Sequence, residues 1–572
     1  MKKGFIMRKY SFLFLFLLLH YAVRLNSQPA IEWQRSLGGS QHDYGTVVKQ
    51  TSDGGYILAG YSYSGDGDVA AGHGYADYWI LKLNNSGLVQ WQRPLGGSSA
   101  DVAKSIEQTG DGGYIIAGGS YSINGDVTGN RGGSDYWIVK LNSTGNIEWQ
   151  KSMGGTENDE AQSIRQTNDG GYIVAGWSYS DNRDVTGHHP GPRIKGKPQV
   201  NADYWVVKLN NIGNILWQRS LGGSYDDRAY SIRQTNDGGF IVAGYSNSNN
   251  GDVTGHHGFT GLSEDNSDYW LVKLSNTGNI QFQKSLGGDR KDAAYCVEET
   301  IDGGFIVAGE SKSNNGDVSG HHGLTQSISQ FCIVTPDYWV VRLNSTGVIQ
   351  WQRSLGGNGY DIAWSVSQTN DGKFVIAGYT GSNDGEVSNN HGPQSLQLCS
   401  AHNSFFYDFW IVQLDNTGSL QWQKCIGGAN HDVARSVQQT NDGGFVIMGE
   451  SAALNGDVTG NHGGYDYSIV KLGPGNTTPG VQRSILQNEA TVLSFNIYPN
   501  PAQKQVNVYF PGKNLYEDVT LSLLNAFGQK VKQIPISSAS TTTTLTGLSS
   551  GLYVYQVRSG RKILHTGKLI IK

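Results

Sequence analysis

One aspartate recurs at the same place in seven repeats of this chain and is the most regular residue that could do chemistry. Seven carboxylates around a central channel could hold a cation, because hard oxygen ligands suit Ca²⁺. The alternative is structural, because an acidic side chain can accept hydrogen bonds from backbone N–H groups of its own turn. An active site is normally asymmetric, so sevenfold repetition favours the structural role. The aspartates are Asp43, Asp101, Asp159, Asp227, Asp292, Asp361 and Asp432.

Pairs of histidines form a second group with metal-binding chemistry, inside a recurring loop of the type N-G-D-V-T-G-H-H-G. Imidazole is a good ligand for zinc and copper, but adjacent residues of an extended loop point apart. We expect no cysteine or carboxylate to be fixed beside them, and the loop lacks the spacing of an EF-hand. No metal site and no cofactor are therefore predicted, with Ca²⁺ on the aspartates as the open alternative. The pairs are His188 and His189, His256 and His257, and His321 and His322.

Insertions after this loop distinguish repeats three to six from the others. They span residues 190–202, 259–267, 324–336 and 393–407, and each has a different composition. If the four insertions share one face of the fold, they form a wall on one side of that face. Binding residues are often found on variable loops of this kind. The predicted ligand-binding residues are Arg193, Lys195, Lys197, Glu264, Asp265, Phe405, Phe406 and Tyr407.

The elements that must position these residues follow from the repeat itself. Each unit carries a D-x-A-x-S strand, a T-x-D-G-G turn, an apolar Y-I-V-A-G strand, a D-Y-W-I-V-K-L strand and a W-Q-R-S-L-G-G strand. The seventh unit ends without its tryptophan strand, and an isolated copy of that strand stands at 31–37. Only a ring needs a unit that is split in this way. The sequence predicts an all-β protein with a seven-bladed β-propeller over 28–472, closed by its N-terminal outer strand.

The turns sort the loops of such a propeller by face. The Asp-Gly and Asn-x-x-Gly turns between strands one and two and between strands three and four tolerate the positive φ of tight hairpins. These turns lie on one face. The long loops after A-G-x-S and the connections after S-L-G-G lie on the other, which is the predicted ligand face.

Composition and the N-terminus indicate an exported protein. Net charge is −5, so no bulk attraction to nucleic acid or an anionic membrane is expected. Residues 1–27 combine a basic start with a short apolar run, which is typical of a secretory signal. No other stretch has the ~20 apolar residues that a membrane-spanning helix requires.

Four cysteines divide into two kinds by their place in the repeat. Cys296 and Cys425 occupy positions that hold serine in other units, which predicts small packing residues. Cys332 and Cys399 lie in the insertions of neighbouring blades. An exported chain permits a disulfide between them, and two unpaired thiols are the alternative.

The C-terminal part differs in composition from the repeats. After a linker at 473–491, period-2 strands over 492–572 predict a small β-sandwich. The segments F-N-I-Y-P-N-P, L-L-N-A-F-G-Q-K-V, G-L-Y-V-Y-Q-V and G-K-L-I-I-K occur in order, and this part resembles the C-terminal sorting domain of the Bacteroidetes type IX secretion system. The repeats also look like arrays in uncharacterised cargo of that system.

The resemblance implies a route and a partner. It implies Sec export to the periplasm, recognition by the type IX machinery, and then release or attachment at the outer-membrane surface. Its motifs assign the sorting signal to Tyr498, Pro499, Asn500, Pro501, Gly551, Tyr553, Gly567, Lys568 and Lys572.

No catalytic residues are predicted. The favoured function is a non-catalytic binding module that uses the insertions of blades three to six for a glycan or a protein. The alternative is a glycan-degrading hydrolase or lyase. A hydrolase needs two carboxylates that face one substrate, and the available pair, Glu264 and Asp265, are adjacent loop residues.

Overall fold

A computed structural model gives the fold. It describes residues 28–70, 72–194, 197–198, 200–258, 266–323, 334–392 and 406–475, and then 496–498, 505–509, 519–525, 529–536, 540–559 and 562–571. The chain divides into two compact units, Met1–Pro479 and Gly480–Lys572. The described residues contain strands and turns without an α-helix, which confirms the all-β prediction. The predicted signal at 1–27 lies outside them.

The described residues of the first unit form seven four-stranded antiparallel sheets, one for each repeat, and one two-stranded hairpin. The first strands begin at the recurrent aspartate, and the second strands follow the Asp-Gly turn. The first strands are Asp43–Gln50, Asp101–Gln108, Asp159–Gln166, Asp227–Gln234, Asp292–Glu299, Asp361–Gln368 and Asp432–Gln439. The second strands are Tyr56–Ser62, Tyr114–Ser120, Tyr172–Ser178, Phe240–Ser246, Phe305–Ser311, Phe374–Thr380 and Phe445–Ser451.

The third and fourth strands complete each sheet. The third strands are Asp77–Leu83, Asp135–Leu141, Asp203–Leu209, Asp268–Leu274, Asp337–Leu343, Asp408–Leu414 and Asp466–Leu472. The fourth strands of sheets one to six are Val89–Leu95, Ile147–Met153, Ile215–Leu221, Ile280–Leu286, Ile349–Leu355 and Leu420–Ile426. In sheet seven this place is taken by the N-terminal strand Ile31–Leu37, which pairs antiparallel with Asp466–Leu472.

The second and third strands are buried on both faces, as their continuous apolar runs predict. Their side chains form hydrophobic clusters between neighbouring sheets rather than within one sheet. One cluster joins sheets seven and one through Leu37, Val48, Trp79 and Tyr467. The first strands of successive sheets also contact one another, and this order returns from sheet seven to sheet one.

A tyrosine-to-backbone hydrogen bond ties most sheets to the next. The third-strand tyrosine of one sheet donates its Oη–H to the carbonyl of the third-strand tryptophan in the following sheet. The six pairs, 2.8 to 3.0 Å apart, are Tyr78 to Trp137, Tyr136 to Trp205, Tyr204 to Trp270, Tyr269 to Trp339, Tyr338 to Trp410 and Tyr467 to Trp79. Between sheets six and seven the same positions hold Phe409 and Ser468.

The tight turns have the predicted backbone. In sheet one, Gly54 at the first turn has φ +80° and Gly87 at the second has φ +78°. Each turn is closed by backbone hydrogen bonds, among them Thr51 N–H to Gly55 O at 2.9 Å. A residue other than glycine is strained at such φ values, so the recurrent glycines follow from turn geometry.

The second unit contains two antiparallel sheets that share one buried core. Val506 and Val508 of the smaller sheet belong to the same cluster as Leu521 and Leu523 of the larger one. The smaller sheet has strands Asn496–Tyr498, Gln505–Tyr509 and Ser540–Thr544, and the larger has Lys530–Pro535, Val519–Leu524, Gly551–Ser559 and Lys562–Ile571.

Candidate functional site

A β-bulge interrupts the first strand of every sheet at the same place. In sheet three the pairing with the second strand shifts between Ala161 and Ser163, so Gln162 is the extra residue. A bulge re-aims the side chain of its extra residue and is frequent beside functional sites. The seven bulge residues are Thr46, Lys104, Gln162, Tyr230, Tyr295, Trp364 and Arg435.

All seven bulge residues line one cavity of about 400 Å³, which we call the bulge cavity. Its other lining residues come from the second position of a first strand or from the sixth position of a second strand. These two positions lie opposite each other in a sheet, as in the pairs Tyr44 with Tyr61 and Glu160 with Trp177. The additional lining residues are Tyr44, Tyr61, Glu160, Trp177, Arg228 and Glu450. A cavity of this size is in the range of small-ligand sites.

The bulge residues vary between repeats, whereas the positions that flank them vary little. The residue before each bulge is alanine in six sheets and glycine in one, and the residue after it is serine in five. The bulge residues themselves comprise six residue types. This site was missed in the sequence, although the variable position between alanine and serine in D-x-A-x-S was the signal that could have identified it.

One wall of the bulge cavity is a stack of side chains. Trp364 lies between the Tyr295 ring, 4.1 Å away at 25° between planes, and the Arg435 guanidinium, 4.4 Å from the ring centre. Arg435 donates two hydrogen bonds to Glu450 Oε1, at 2.7 and 3.0 Å. Tyr295 donates to Glu310 at 2.6 Å. The buried Nε1 of Trp364 has no partner within the described part of the chain, and a buried unpaired donor favours an acceptor from a ligand or water.

A second wall combines aromatic rings with charged groups. The Arg228 guanidinium lies 5.1 Å from the centre of Trp177, and it donates to Tyr179 Oη at 2.7 Å. Burial raises the pKa of Glu160, although the charges of Lys104 and Arg228 oppose this shift. Burial also lowers the pKa of Lys104. The wall therefore holds an acid and a base, each of which is easier to neutralise than in water.

The recurrent aspartates cap their own turns, which confirms the structural role. In each repeat the second glycine of S-L-G-G donates its N–H to the aspartate Oδ2, as Gly155 does to Asp159 at 2.7 Å. The other six bonds span 2.7 to 2.9 Å. Burial raises the pKa of Asp361 and Asp432 to about 7. Among the described residues no three His, Cys, Asp or Glu side chains are grouped as a metal site.

The histidine loops contain carboxylates, so the expectation that none is fixed there is wrong. His257 Nδ1 lies 2.8 Å from Asp268 of its own sheet, and Nε2 lies 3.7 Å from Asp317 of the next sheet. Its neighbour His256 is buried and faces the same Asp268 at 3.7 Å. The loop and the third strand meet in three dimensions, which one-dimensional spacing did not reveal.

Equivalent bridges join every sheet to its successor. A histidine, or an arginine in sheet two, reaches the acidic loop residue of the next sheet. The bridges are His73–Asp126, Arg131–Asp184, His189–Asp252, His257–Asp317, His322–Glu386, His391–Asp457 and His462–Asp68. Six of the seven contain imidazole. In four of them the hydrogen bond to the aspartate of the same sheet raises the histidine pKa, namely His189, His257, His322 and His462.

The predicted insertion residues are only partly described. Arg193 and Lys197 lie in a two-stranded hairpin, Arg193–Ile194 with Lys197–Pro198. Phe406 stacks on His431 at 5.5 Å, and Tyr407 lies 4.7 Å from Tyr379. Lys195, Glu264, Asp265, Phe405 and the cysteines Cys332 and Cys399 lie outside the described residues, so their roles stay predictions.

Cys296 and Cys425 are buried free thiols in one hydrophobic cluster, as predicted for packing residues.

The sorting residues lie in the second unit. Tyr553 is buried and donates to Ser549 O at 2.8 Å, in the strand that begins at Gly551. Gly567 and Lys568 lie in the last strand, and Tyr498 ends the strand Asn496–Tyr498. Pro499, Asn500, Pro501 and Lys572 lie outside the described residues.

Comparison with known proteins identifies the C-terminal unit. Residues 496–572 match the family model of the secretion system C-terminal sorting domain. This match confirms the resemblance noted for that part, and it marks the chain as type IX cargo, either secreted or displayed at the cell surface. Within the described residues there is no helix long and apolar enough to cross a membrane.

The repeats have more distant relatives. Regulatory protein FlaEY of Caulobacter vibrioides is 24% identical over 406 residues, which are 67% of this chain and 40% of FlaEY. The chain thus spans about two fifths of that relative's length.

Two solved structures are similar in part. Sqt1 from Chaetomium thermophilum is 11% identical, with 78% of this chain and 100% of that chain covered and a TM-score of 0.36. PorZ, a surface component of the type IX secretion system of Porphyromonas gingivalis, is 11% identical, with coverage of 91% and 64% and a TM-score of 0.29. At these TM-scores the likeness says nothing about function.

Proposed function

We propose that this chain is an exported, closed seven-bladed β-propeller that binds a ligand in the bulge cavity, as a recognition module rather than an enzyme. The sorting domain supports export. The convergence of seven different bulge residues on one cavity is the single observation that carries the binding role. Repeated residues maintain the sheets, whereas residues that differ between repeats in one cavity are free to meet an asymmetric ligand.

Three contacts between sheets seven and one support the closed ring. Tyr467 donates to Trp79 O at 3.0 Å, as at five other sheet boundaries. His462 reaches Asp68 at 3.7 Å, which repeats the histidine bridge. Asn441 N–H donates to Gln50 Oε1 at 2.8 Å, and the counterpart at the next boundary is the bond from Ser52 N–H of sheet one to Gln108 Oε1 of sheet two. The last boundary therefore uses the same contacts as the internal ones.

The delivery route follows from the sorting domain. In this proposal Sec export brings the chain to the periplasm, and the type IX machinery recognises the C-terminal unit and moves the propeller across the outer membrane. The propeller is then released or attached at the cell surface. Its ligand is a glycan or a protein outside the cell.

The insertions of repeats three to six complete the ligand face in this proposal. Tyr407 is the last residue of the insertion of repeat six. It contacts Tyr379, which occupies the sixth position of the second strand of that sheet. The same position contributes Tyr61, Trp177 and Glu450 to the bulge cavity. The insertion of repeat six thus adjoins the ring of positions that forms the cavity.

A second function is favoured by one observation, the opposed pKa shifts of Glu160 and Lys104. A carboxyl with a raised pKa is suited to act as a general acid. The second candidate is accordingly a glycan-degrading hydrolase or lyase on the same cavity. Release of shortened products from a bound glycan would identify it.

The test is binding to a glycan and polysaccharide array by the purified chain and two variants. In one variant the four insertions are shortened to the length of repeat one, and in the other Gln162 is replaced by Ala. Gln162 is half-buried in the cavity, so Gln162→Ala leaves the sheets intact and weakens binding. A matched control is Ile301→Ala, because Ile301 is 88% exposed in a tight turn at the other end of the first strand.

The outcomes separate the parts of the proposal. Loss of binding with Gln162→Ala and not with Ile301→Ala supports the cavity. Loss of binding in the variant with shortened insertions would show that the insertions also form part of the binding site. Binding that is unchanged in Gln162→Ala contradicts the proposed site. No binding by a folded parent chain contradicts a glycan ligand and leaves a protein as the ligand.

A further inference from the structure

Five tyrosines form a continuous row that runs past the bulge cavity to the outer surface, which we call the tyrosine arc. The members, in spatial order, are Tyr465, Tyr44, Tyr61, Tyr63 and Tyr75. Successive ring centres are 5.5, 5.0, 6.0 and 5.0 Å apart. Tyr44 and Tyr61 belong to the cavity lining, and Tyr75 at the far end is 67% exposed. The arc therefore connects the bulge cavity with open solvent.

The arc is specific to the boundary of sheets seven and one. Tyrosine stands at the position of Tyr63 in sheets two and three, as Tyr121 and Tyr179, whereas sheets four and six hold Asn247 and Gly381 there. Tyr75 corresponds to Gly133 in sheet two and Asn201 in sheet three. Because the repeat does not require tyrosine at these positions, the arc is not a by-product of sheet packing. Four of the five rings are half-buried and Tyr75 is exposed, so the arc is a contiguous, partly exposed aromatic surface, and such surfaces indicate interaction sites.

The charges of the site argue against an anionic ligand. Arg435 is held by Glu450, and Arg228 by Tyr179 and by Asp226 at 3.3 Å. The Lys104 ammonium lies 5.7 Å from the centre of the Tyr61 ring. An anion would have to compete with these contacts, whereas a neutral ligand leaves them in place.

A saccharide fits the remaining chemistry. Tyrosine offers an apolar ring and a hydroxyl that both donates and accepts. The C–H face of a sugar ring packs on such rings, and its hydroxyls pair with hydroxyl, amide and carboxyl groups such as Thr46, Gln162 and Glu160 of the cavity. A peptide strand would instead seek a free sheet edge for its backbone, which neither the bulge residues nor the tyrosine rings supply.

We infer that the ligand is a neutral oligosaccharide or polysaccharide end, with a terminal unit in the bulge cavity and the following units along the tyrosine arc. This inference rests on the proposed binding function and adds its ligand class, its length dependence and its direction across sheet one. The saccharide leaves the bulge cavity past Tyr61 and ends over Tyr75.

The experiment measures binding of the purified chain to neutral glucan, mannan and xylan oligosaccharides of one to six units, with uronic-acid oligosaccharides and peptides for comparison. We expect affinity to rise with length until the arc is filled. Tyr75→Ala should weaken binding of the longest ligand by about tenfold, the effect of losing one well-packed tyrosine contact, and leave the shortest ligand unaffected. Tyr121→Ala is the matched control, because Tyr121 holds the position of Tyr63 in sheet two and is 43% exposed.

Each other result overturns the inference in a recognisable way. If affinity does not depend on ligand length but binding is still lost in Gln162→Ala, the ligand binds in the bulge cavity and the tyrosine arc is refuted as a binding surface. Preference for uronic-acid ligands or peptides refutes the ligand class. Equal losses in Tyr75→Ala and Tyr121→Ala refute the path over Tyr75. A folded parent chain that binds none of these probes refutes the oligosaccharide ligand, and it contradicts the glycan part of the proposed function as well.

Discussion

Replacement of Tyr467 by Phe tests whether the first and last sheets meet in solution. Tyr467 is fully buried, and its hydroxyl donates to Trp79 O at 3.0 Å across the boundary of sheets seven and one. Tyr204 makes the equivalent bond to Trp270 O at 2.8 Å between sheets three and four. Phenylalanine keeps the ring, whose centre lies 4.6 Å from the tryptophan in both cases. The substitution therefore removes the hydrogen bond and little packing.

The expected cost follows from that single bond. A neutral buried hydrogen bond contributes about 1 kcal/mol to the free energy of unfolding. Because both tyrosines are buried and both bonds are short, Tyr467→Phe and Tyr204→Phe should each cost about this amount. For a unit of this size the melting temperature falls by only about 1 to 2 °C, so chemical denaturation is the more sensitive readout.

The assay compares unfolding midpoints of the parent chain and the two variants by circular dichroism and tryptophan fluorescence. A closed ring predicts equal shifts, because the last boundary has the same contacts as the internal one. A midpoint shift in Tyr204→Phe with none in Tyr467→Phe would show that sheets seven and one are apart in solution, and it would refute the closed ring.

Two further predictions concern the boundaries between sheets. Phe409→Tyr restores the missing hydroxyl opposite Ser468 and should raise the free energy of unfolding by about 1 kcal/mol. The measurement is the denaturation midpoint, which should be higher than in the parent chain. A lower midpoint would show that the hydroxyl has no acceptor there. The hydrogen bond to Asp268 raises the pKa of His257, with a smaller contribution from Asp317. A raised folded-state pKa gives stability that is present below about pH 6.5 and is lost as pH rises through that pKa. His257→Gln should therefore lower the melting temperature more at pH 6 than at pH 8.5, and a pH-independent difference from the parent would contradict the bridge.

Much of the sheet architecture could be predicted because one pattern is repeated seven times. The aspartate that begins each first strand, the Asp-Gly turn and the alternating D-Y-W-I-V-K-L segment are local signals, and each gave the correct strand and turn. The isolated strand at 31–37 could be assigned because its sequence matches the pattern of the fourth strands of repeats one to six, and repeat seven lacks this strand. The aspartate cap was predictable for the same reason, since the glycines that it binds are four residues away.

The candidate site could not be predicted by the same reasoning. Repetition draws attention to residues that recur, whereas the bulge cavity consists of the residues that do not. A bulge is a property of the hydrogen-bond register between two strands, and neither strand alone shows which residue is extra. The histidine bridges were missed because His257 and Asp317 are close only after two sheets pack together.

The tyrosine arc shows the same limit. Tyr44, Tyr63, Tyr75 and Tyr465 belong to four different segments of two repeats. Their ring contacts depend on the pairing of the N-terminal strand with sheet seven and on the contact of that sheet with sheet one. The insertions were singled out by length, but length alone does not place a side chain in a site.

Filling the bulge cavity tests the central claim most directly. Gln162→Trp places a large ring at a bulge position inside the cavity, and Ile301→Trp places the same ring in an exposed turn. Both variants and the parent chain would be titrated by calorimetry with the oligosaccharide that the parent binds best. We predict that Gln162→Trp loses binding while Ile301→Trp keeps the affinity of the parent. Equal affinity in Gln162→Trp and the parent, with both folded, would show that the ligand does not bind in the bulge cavity.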